Sequence, residues 1–259
     1  MYATRRDRNT GLIDRNSTSS AFTNSLSLVF DGVDEFVNMG NIHKFARTDA
    51  FSLAVWFKTV VASGGGRTLI SARLSSGTTR GYSVSYAPAS AVFVFVLASS
   101  TTNGTQVNFA ASPGVYNNGA WHLAAMTYDG SSTAAGMHMY LDNVETDRAV
   151  VKDNLTGDIE SLAITDFCLG ANDGAAAFWS GGLDEAAVWN KVLTSGELSS
   201  LYNSGTPVAL NLHSAAANLI SWWRCGDEDS YPAILDNSGN TKHGLTINMD
   251  LADIVSDVP

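Results

Sequence analysis

An adjacent pair of carboxylates, Asp184 and Glu185, opens a segment that begins like a strand and ends like a helix, GGLDEAAVWNKVLTSGELSSLYNSG. Two facing carboxylates can cleave a glycosidic bond, and carboxylate oxygens are also preferred ligands of Ca²⁺. On a regular strand, however, neighbouring side chains point to opposite faces, so this pair is not expected to act on one bond. The interpretation that we favour for Asp184 is structural, with its carboxylate accepting hydrogen bonds from backbone N–H groups of neighbouring turns.

Other motifs for catalysis are missing from the sequence. The five histidines, at positions 43, 122, 138, 213 and 243, show no HExxH spacing, and no GxSxG nucleophile motif occurs. The glycine-rich stretch at 63–68 lacks the Lys-Ser/Thr pair of a phosphate-binding loop and fits a hairpin tip. Two acidic stretches, GDEDS at 226–230 and DNSGN at 236–240, are interpreted as solvated turns, with cation binding as the alternative. We therefore predict that the chain is not an enzyme.

Two aromatic residues beside turns are candidates for binding a glycan, whose C–H faces can stack on exposed rings. They are Trp179 in AAAFWSGG and Tyr116 in GVYNNGAW. The alternative is that each ring anchors a loop against the rim of the fold. Four other tryptophans lie in strand patterns and are expected in the core: Trp56, Trp121, Trp189 and Trp222.

The chain from Ser25 onward alternates short apolar runs with Gly, Asn, Asp and Ser, at intervals of roughly 8 to 15 residues. This pattern predicts an all-β fold, an antiparallel sandwich. Asp142 and Asn143 stand between two such runs and suit a tight two-residue turn. The run AVFVFVL, residues 91–97, is apolar throughout, which indicates a central strand covered on both faces or, alternatively, an oligomer contact.

One short helix is predicted near residues 195–203. Thr194 fits its N-cap, and Glu197 three residues later completes a capping box. An apolar stripe follows at helical spacing: Leu198, Leu201 and Tyr202. The strand before the helix alternates in a way that predicts one buried face: Leu183, Glu185, Ala187 and Trp189.

Composition limits the remaining function classes. The 259 residues are 45% hydrophobic, which suits one principal domain, and the formal charge of −10 disfavours binding to nucleic acid. No run approaches the roughly 18 apolar residues of a membrane span, and the N-terminus lacks the apolar segment of a signal peptide. Cys168 and Cys225 are expected to be small core residues, with one disulfide as the alternative.

Charge is unevenly spread along the chain. Residues 1–25 carry four arginines and two aspartates, whereas the remainder carries 11 basic and 23 acidic residues, so a +2 segment precedes a −12 body. We interpret residues 1–24 as a flexible arm that could also bind an acidic neighbour in an assembly. Its basic residues are Arg5, Arg6, Arg8 and Arg15.

Five stretches resemble, in this order, the laminin-G-like, concanavalin A-like jelly-roll family: LVFDGVDEFVNMG, FSLAVWFKT, WHLAAMTYDG, MHMYLDN and the segment quoted first. They lie between about residues 25 and 205. The resemblance implies two curved antiparallel sheets and a lectin, adhesion or spacer module, only sometimes an enzyme. Hydrolases of the family carry Glu-x-Asp-x-x-Glu on one strand, whereas LDEAAVW has no second Glu. The resemblance also brings the turn of Asp31 and Asp34 near the Asp184 strand, which would make a structural Ca²⁺ site; no other cofactor is expected.

The C-terminal stretch LISWWRCGDEDSYPAILDNSGNTKHGLTINM is similar to the segment that usually starts such domains. We expect residues 219–250 to complete a sandwich of residues 25–259, with the start of a second domain as the alternative. This late position is similar to laminin-G-like proteins of tailed bacteriophages. It implies a virion surface protein, such as a capsid decoration or head-fibre component, assembled in the host cytoplasm with other capsid proteins and in one or more copies. The alternative is a carbohydrate-binding lectin or adhesin that works outside the cell.

Overall fold

The protein folds into two antiparallel sheets stacked around a shared apolar core. The structure is a computed structural model that describes residues 22–77, 79–110, 115–160 and 165–259. The predicted all-β sandwich with one short helix is confirmed. The predicted arm of residues 1–24 is wrong at its end, because Phe22 and Asn24 contact the sandwich. Its basic residues lie outside the described residues, so a flexible basic arm stays a prediction: Arg5, Arg6, Arg8 and Arg15.

The first sheet has the strand order β10-β9-β8-β3-β13-β1-β17, and β14 pairs with β13 beside the end of β1. Its strands are β1 (Ser27–Asp31), β3 (Phe51–Lys58), β8 (Trp121–Tyr128), β9 (Met137–Leu141), β10 (Val144–Glu145), β13 (Ser180–Trp189), β14 (Leu219–Trp223) and β17 (Ile254–Val255). The long β13 therefore lies at its centre, with β3 on one side and both β1 and β14 on the other.

The second sheet has the strand order β11-β7-β6-β5-β4-β12-β2-β16-β15. Its strands are β2 (Phe36–Asn38), β4 (Arg67–Arg73), β5 (Gly81–Ala87), β6 (Val92–Ala98), β7 (Gly104–Ala110), β11 (Arg148–Asp153), β12 (Cys168–Leu169), β15 (Ala233–Ile234) and β16 (Gly244–Ile247). Single 3₁₀ turns lie at Pro88–Ser90, Ala134–Gly136, Leu210–Leu212, Ala216–Asn218 and Leu251–Asp253.

The core between the sheets comes from alternate residues of each strand. On β6, Phe93, Phe95 and Leu97 are fully buried, because every second side chain of a strand points to the same face. Val94 and Val96 on the other face are only half-buried. The prediction that this strand is covered on both faces is therefore wrong for its outer face.

The outer face of the first sheet is covered by the helix α1 (Ser195–Tyr202) and the chain that follows it. Thr194 caps α1 and forms the predicted capping box with Glu197, because each side chain satisfies a backbone N–H group at the helix start. Tyr202 stacks on Trp56 with ring centroids 6.0 Å apart. The predicted two-residue turn is also confirmed: Asp142 and Asn143 have positive φ and join β9 to β10.

The C-terminal residues contribute strands to both sheets. β14 pairs with β13 in the first sheet, whereas β16 pairs with β2 in the second. Trp223 is fully buried in the core between the sheets, and Trp222 is buried under the outer layer. Residues 219–247 thus lie within the sandwich, next to strands from the first part of the chain.

Both cysteines are free and buried. Cys225 belongs to the core between the sheets, whereas Cys168 packs in a small cluster with Phe36 and Ala171. Burial raises the pKa of the Cys168 thiol to about 12, helped by the nearby carboxylate of Asp166. The expectation of small core residues is confirmed.

Candidate functional site

The Asp184–Glu185 pair lies at a β-bulge in the centre of the first sheet. Asp184 is opposite Trp56 of β3 and Ala187 is opposite Ala54, so β13 has one extra residue here. Glu185 takes the left-handed conformation with φ of +46°, which a bulged residue can adopt. The extra residue shifts the alternation of the strand, and both carboxyl groups join one buried cluster.

The bulge corrects two sequence-based expectations. Leu183, on the N-terminal side of the bulge, points into the core between the sheets, whereas Ala187 and Trp189, beyond it, point to the outer face beneath α1. The predicted single buried face is therefore wrong. The expectation that Asp184 and Glu185 lie on opposite faces is also wrong, because a regular alternation does not continue through an inserted residue.

Arg224, which follows β14, is the centre of the cluster that surrounds the pair. Its Nε donates to Glu185 Oε1 at 3.2 Å, and its Nη2 donates to Asp227 Oδ2 at 3.3 Å. The guanidinium is only 5% exposed, and Glu228 forms a third ion pair at 3.1 Å. The Trp222 indole N–H donates to the second oxygen of Glu185. A buried cation with such partners holds its neighbours in one arrangement, since removing any one leaves a charge unpaired.

The same cluster fixes the chain that leads into β1. Asn24 Nδ2 donates to Asp184 Oδ2 at 2.8 Å, and the backbone N–H groups of Ser25 and Leu26 donate to Asp227. We call residues 22–26 the entry segment. Phe22 of this segment lies over the Arg224 guanidinium, 4.7 Å from its ring centroid, in a cation–π contact.

Burial controls the ionisation of the pair. Desolvation raises the pKa of Asp184 well above its ordinary value, and the neighbouring Glu185 carboxylate raises it further. Desolvation also raises the pKa of Glu185 to about 7, although Trp222 and Arg224 counteract this shift. Asn24 Oδ1 is buried without a hydrogen-bond partner, and a 180° turn of this amide would offer it to a protonated Asp184. The pair is thus built to hold a proton inside the fold.

The arrangement does not suit glycoside hydrolysis. Asp184 is fully buried and Glu185 is 4% exposed, with its two oxygens bonded to Trp222 and Arg224. A catalytic acid or nucleophile must come within hydrogen-bond distance of its substrate. These carboxyls instead bind other groups of the fold. The favoured structural role of Asp184 agrees with its contacts, although its acceptor bonds come from the Asn24 side chain and the next backbone N–H.

A surface pocket of about 440 Å³ opens beside the cluster, between the entry segment and the loop before β14. We call it the corner pocket. Its lining combines aromatic, amide and carboxylate groups with one exposed leucine: Phe22, Trp222, Asn211, Asn237, Asp227, Glu228 and Leu212. The volume is within the range of small-molecule sites, roughly 300–1,000 Å³.

The predicted Ca²⁺ ligands do not come together. Asp31 pairs with Ser180 and Leu28 pairs with Leu183, so Asp184 lies four residues along β13, about 13 Å away. Asp31 accepts from the Val33 backbone N–H at 2.7 Å, within its own turn, and Asp34 is exposed. Asp31, Asp34 and Asp184 therefore do not fit one Ca²⁺ site. In the described ranges, no group of three or more His, Cys, Asp or Glu side chains is arranged to hold a metal ion.

The predicted glycan-binding rings are both engaged in packing. Trp179 is fully buried, with its Nε1 donating to the Gly182 carbonyl at 3.2 Å, so it presents no face to a ligand. Tyr116 is half-buried and meets His122 edge-on, with ring centroids 5.1 Å apart. For Trp179 the prediction of a glycan contact is wrong, and both rings act as anchors at the rim. Of the predicted core tryptophans, Trp121 is the exception, since it is only half-buried.

Sequence reasoning missed the residues that organise this corner. The acidic stretches at 226–230 and 236–240 were expected to be solvated, yet Asp227 and Asp236 are buried and accept several hydrogen bonds. Gly226, at φ of +130°, allows Leu26 to lie close, because an added Cβ would be 2.8 Å from the Leu26 Cβ. One sequence feature could have indicated that Arg224 is buried and paired: it is a single charged residue within the apolar run Trp-Trp-Arg-Cys.

Comparison with known proteins places the chain in a family. Residues 31–199 match the laminin G type family described as the concanavalin A-like lectin/glucanases superfamily, and the chain belongs to this family. The family resemblance inferred from the sequence is confirmed. Its further likeness to tailed-phage proteins stays a prediction. A search of curated proteins found no match.

Two solved structures share the architecture. One is a protein of Bacteroides ovatus ATCC 8483 provisionally assigned to carbohydrate binding, with a TM-score of 0.58 and 14% identity over 87% of this chain. This chain spans 58% of that protein's length. The other is the heptameric SAP-like pentraxin of Limulus polyphemus, with a TM-score of 0.52 and 15% identity over 88% of this chain and 96% of that one. At these identities the likeness establishes the shared fold.

No helix in the part of the chain that the structure describes is long and apolar enough to cross a membrane.

Proposed function

We propose that the chain is a non-catalytic binding module whose ligand is a neutral saccharide held in the corner pocket. The observation that carries this proposal is a concave site in which apolar surface lies beside polar groups, one of them, Asn237 Oδ1, without a hydrogen-bond partner. Saccharides offer many hydroxyl donors together with apolar C–H faces. Sites for small ligands commonly combine apolar walls with a few converging polar groups.

The acceptors of the pocket are specific atoms. Asn237 Oδ1 is buried and has no hydrogen-bond partner, whereas its Nδ2 donates to Glu228 Oε2 at 2.9 Å. A buried acceptor without a donor is unfavourable, so a rotation of the Asn237 amide that brings Oδ1 to a ligand hydroxyl would add stability. The Arg224 guanidinium is already paired with Glu185, Asp227 and Glu228, which leaves little attraction for an anionic ligand.

The apolar contact surface lies at the edge of the pocket. Leu212 is 83% exposed and Phe22 is half-buried, whereas Trp222 beneath them is 3% exposed. Arg224 contacts both Phe22 and Trp222 and holds these rings in place before a ligand arrives, which lowers the entropic cost of binding. Membership of a superfamily that includes lectins supports the proposal, as does the fold shared with the Bacteroides ovatus protein.

A glycan array tests this proposal directly. The wild-type chain is expected to bind one or more neutral oligosaccharides, and Asn237→Ala is expected to weaken the affinity about tenfold by removing the acceptor. Asn190→Ala, which removes an exposed amide paired with Asn218, is the matched control and should bind as the wild type does. Absence of binding to every glycan, or an unchanged dissociation constant for Asn237→Ala, would refute the proposal.

A narrower proposal concerns the place of action. The charge split of the sequence and the likeness of residues 219–259 to tailed-phage proteins favour a virion surface protein that docks on capsid proteins through residues 1–21. Co-sedimentation with purified phage shells tests this, using the full chain and a chain that begins at Phe22. The deletion should stop there, because Phe22 and Thr23 contact Arg224. If the full chain binds the shells and the shortened chain does not, docking by the arm is supported. If the full chain does not bind the shells, the virion role is excluded and an extracellular lectin is favoured.

A further inference from the structure

We propose a second binding site, for a compact oxyanion, on the outer face of the second sheet between Arg73 and Lys152. On this face the β6 side chains Val94 and Val96 are half-buried. The strand register places five residues in one row across it: Ser71, Ser83, Val96, Gln106 and Lys152. Arg73 lies two residues after Ser71 and reaches back to the Ser83 hydroxyl at 3.4 Å.

Both cations lack a carboxylate partner among the described residues. Arg73 Nε donates to the Thr79 carbonyl at 3.1 Å, and Lys152 Nζ donates to the Thr101 carbonyl at 3.2 Å. These acceptors are neutral, so each cation retains its full charge and unused N–H donors. Three other arginines, Arg47, Arg67 and Arg148, likewise donate to hydroxyl or carbonyl oxygens. Four described cations are paired with carboxylates at 2.6–3.2 Å: Lys58, Arg80, Lys191 and Arg224.

Partial burial makes the unpaired state of Arg73 costly. Arg73 is half-buried, and desolvation alone lowers the pKa of its guanidinium. Leaving a partly desolvated cation unpaired costs free energy, and such a cost is common where a ligand supplies the missing charge.

A pocket of about 120 Å³ lies between the two cations. Its wall includes Thr79, Thr101 and Gln106, whose hydroxyl and amide groups can donate to anionic oxygens. The volume corresponds to about four water molecules, which suits a carboxylate or sulfate group. A planar guanidinium and an ammonium that line the same pocket are well suited to such an oxyanion.

The ligand class follows from combining this pocket with the proposed function, on which this last step rests. In a saccharide-binding module, an oxyanion site on the open sheet face would hold the carboxylate or sulfate of an acidic saccharide. The half-buried Val94 and Val96 beside the pocket provide an apolar strip for the sugar ring. This site would thus differ from the corner pocket, whose acceptors select neutral hydroxyl groups.

Nuclear magnetic resonance titration with three probes tests the site: hyaluronan tetrasaccharide, neutral chitotetraose and sodium sulfate. The wild type is expected to bind hyaluronan tetrasaccharide with shifts at Arg73 and Lys152, and sulfate should compete. Lys152→Gln and Arg73→Gln should each weaken binding about tenfold, because each removes a charge-assisted hydrogen bond. Lys44→Gln, at an exposed position in the same chain, is the matched control and should leave binding unchanged.

The outcomes separate this site from the corner pocket. The oxyanion site would be overturned if neither hyaluronan tetrasaccharide nor sulfate caused chemical-shift changes at Arg73. An unchanged affinity of Lys152→Gln for hyaluronan tetrasaccharide would also overturn it. Lys152 reaches the surface, so its variant should fold even if Arg73→Gln proves unstable. If sulfate binding depends on both cations and no saccharide binds, the oxyanion site is supported. The same result would refute a saccharide ligand in both proposals. If chitotetraose binds at Asn237 and no anion binds at Arg73, the proposed function is supported and the oxyanion site is refuted.

Discussion

Asp184 shows how a residue that suggests catalysis can serve the fold instead. Its carboxyl group is fully buried, accepts from Asn24, and lies beside Glu185 in a cluster with one arginine. Burial favours the neutral form of a carboxyl group, and a second carboxylate nearby adds to this preference. The protonation state of Asp184 should therefore affect stability rather than turnover.

Asp184→Asn is expected to make the protein less sensitive to rising pH. The pKa of Asp184 is raised in the folded state by burial, and that of Glu185 is raised to about 7. The folded protein keeps protons that the unfolded chain releases above about pH 4, so stability falls as pH rises from there through about 7. Asparagine mimics the neutral acid and does not lose a proton as the pH rises. The free energy of unfolding of the variant minus that of the wild type should therefore be on the order of 1 kcal/mol higher at pH 8 than at pH 5.

Denaturant unfolding at pH 5 and pH 8 measures this effect. The difference between variant and wild type is the useful quantity, because burial lowers the pKa of His43 to about 3 and gives a stability change of opposite sign. Asp34→Asn, on an exposed turn, is the control and should shift neither value. If Asp184→Asn changed stability equally at both pH values, the carboxyl would be charged in the folded protein.

The residues of the cluster also mark where sequence reasoning ends. The absence of a hydrolase pattern around Asp184 was visible in the sequence, and so was the potential of the side chain to accept hydrogen bonds. The bonding partners of the pair were not, because Asn24 is 160 positions from Asp184 and Arg224 is 39 positions from Glu185. Contacts over such distances depend on strand order, which local residue types do not specify.

Among the elements, the helix and the central strand illustrate the difference between local and long-range signals. α1 was predictable because its cap, its stripe and its end all lie within a dozen residues. The bulge in β13 was not, because it appears only when β13 is aligned with β3. Segments whose structure is set by their own residues are predicted well, and those set by a partner are not.

Thr194→Ala is expected to lower the free energy of unfolding by about 1 kcal/mol, because it removes the N-cap acceptor of α1. The Thr194 hydroxyl accepts from the Glu197 backbone N–H at 3.3 Å, and the Glu197 carboxylate accepts from the Thr194 backbone N–H at 2.8 Å. Guanidinium unfolding provides the measurement. Ser199→Ala, at an exposed interior position of the same helix, is the control and should preserve or slightly raise stability. Equal loss in both variants would mean that the cap contributes nothing specific.

For the whole molecule, the position of the C-terminal segment is the property that the sequence left open. The sequence allowed either a completed sandwich or the start of a second domain. The structure pairs β14 with β13 and β16 with β2, so strands distant in sequence become neighbours. Trp223 is fully buried between the sheets, and Arg224 neutralises the buried Glu185. The segment thus contributes both apolar surface and charge balance to the rest of the protein.

A chain that ends at Gly205 is therefore expected not to fold, although it contains all residues that match the family. It would lose Trp222 and Trp223, and truncating one buried tryptophan typically costs about 3–5 kcal/mol of a total stability of about 5–15 kcal/mol. It would also leave Glu185 buried without Arg224, which adds the penalty of an unpaired charge. Far-ultraviolet circular dichroism and thermal unfolding of the purified fragment measure the outcome.

A chain that ends at Ile247 keeps β14 to β16 and is the matched control. It is expected to fold with reduced stability because it lacks β17 and the Lys58–Asp257 ion pair. Cooperative unfolding of the Gly205 fragment near the temperature of the full chain would show that residues 206–259 are an accessory to a sandwich already complete without them.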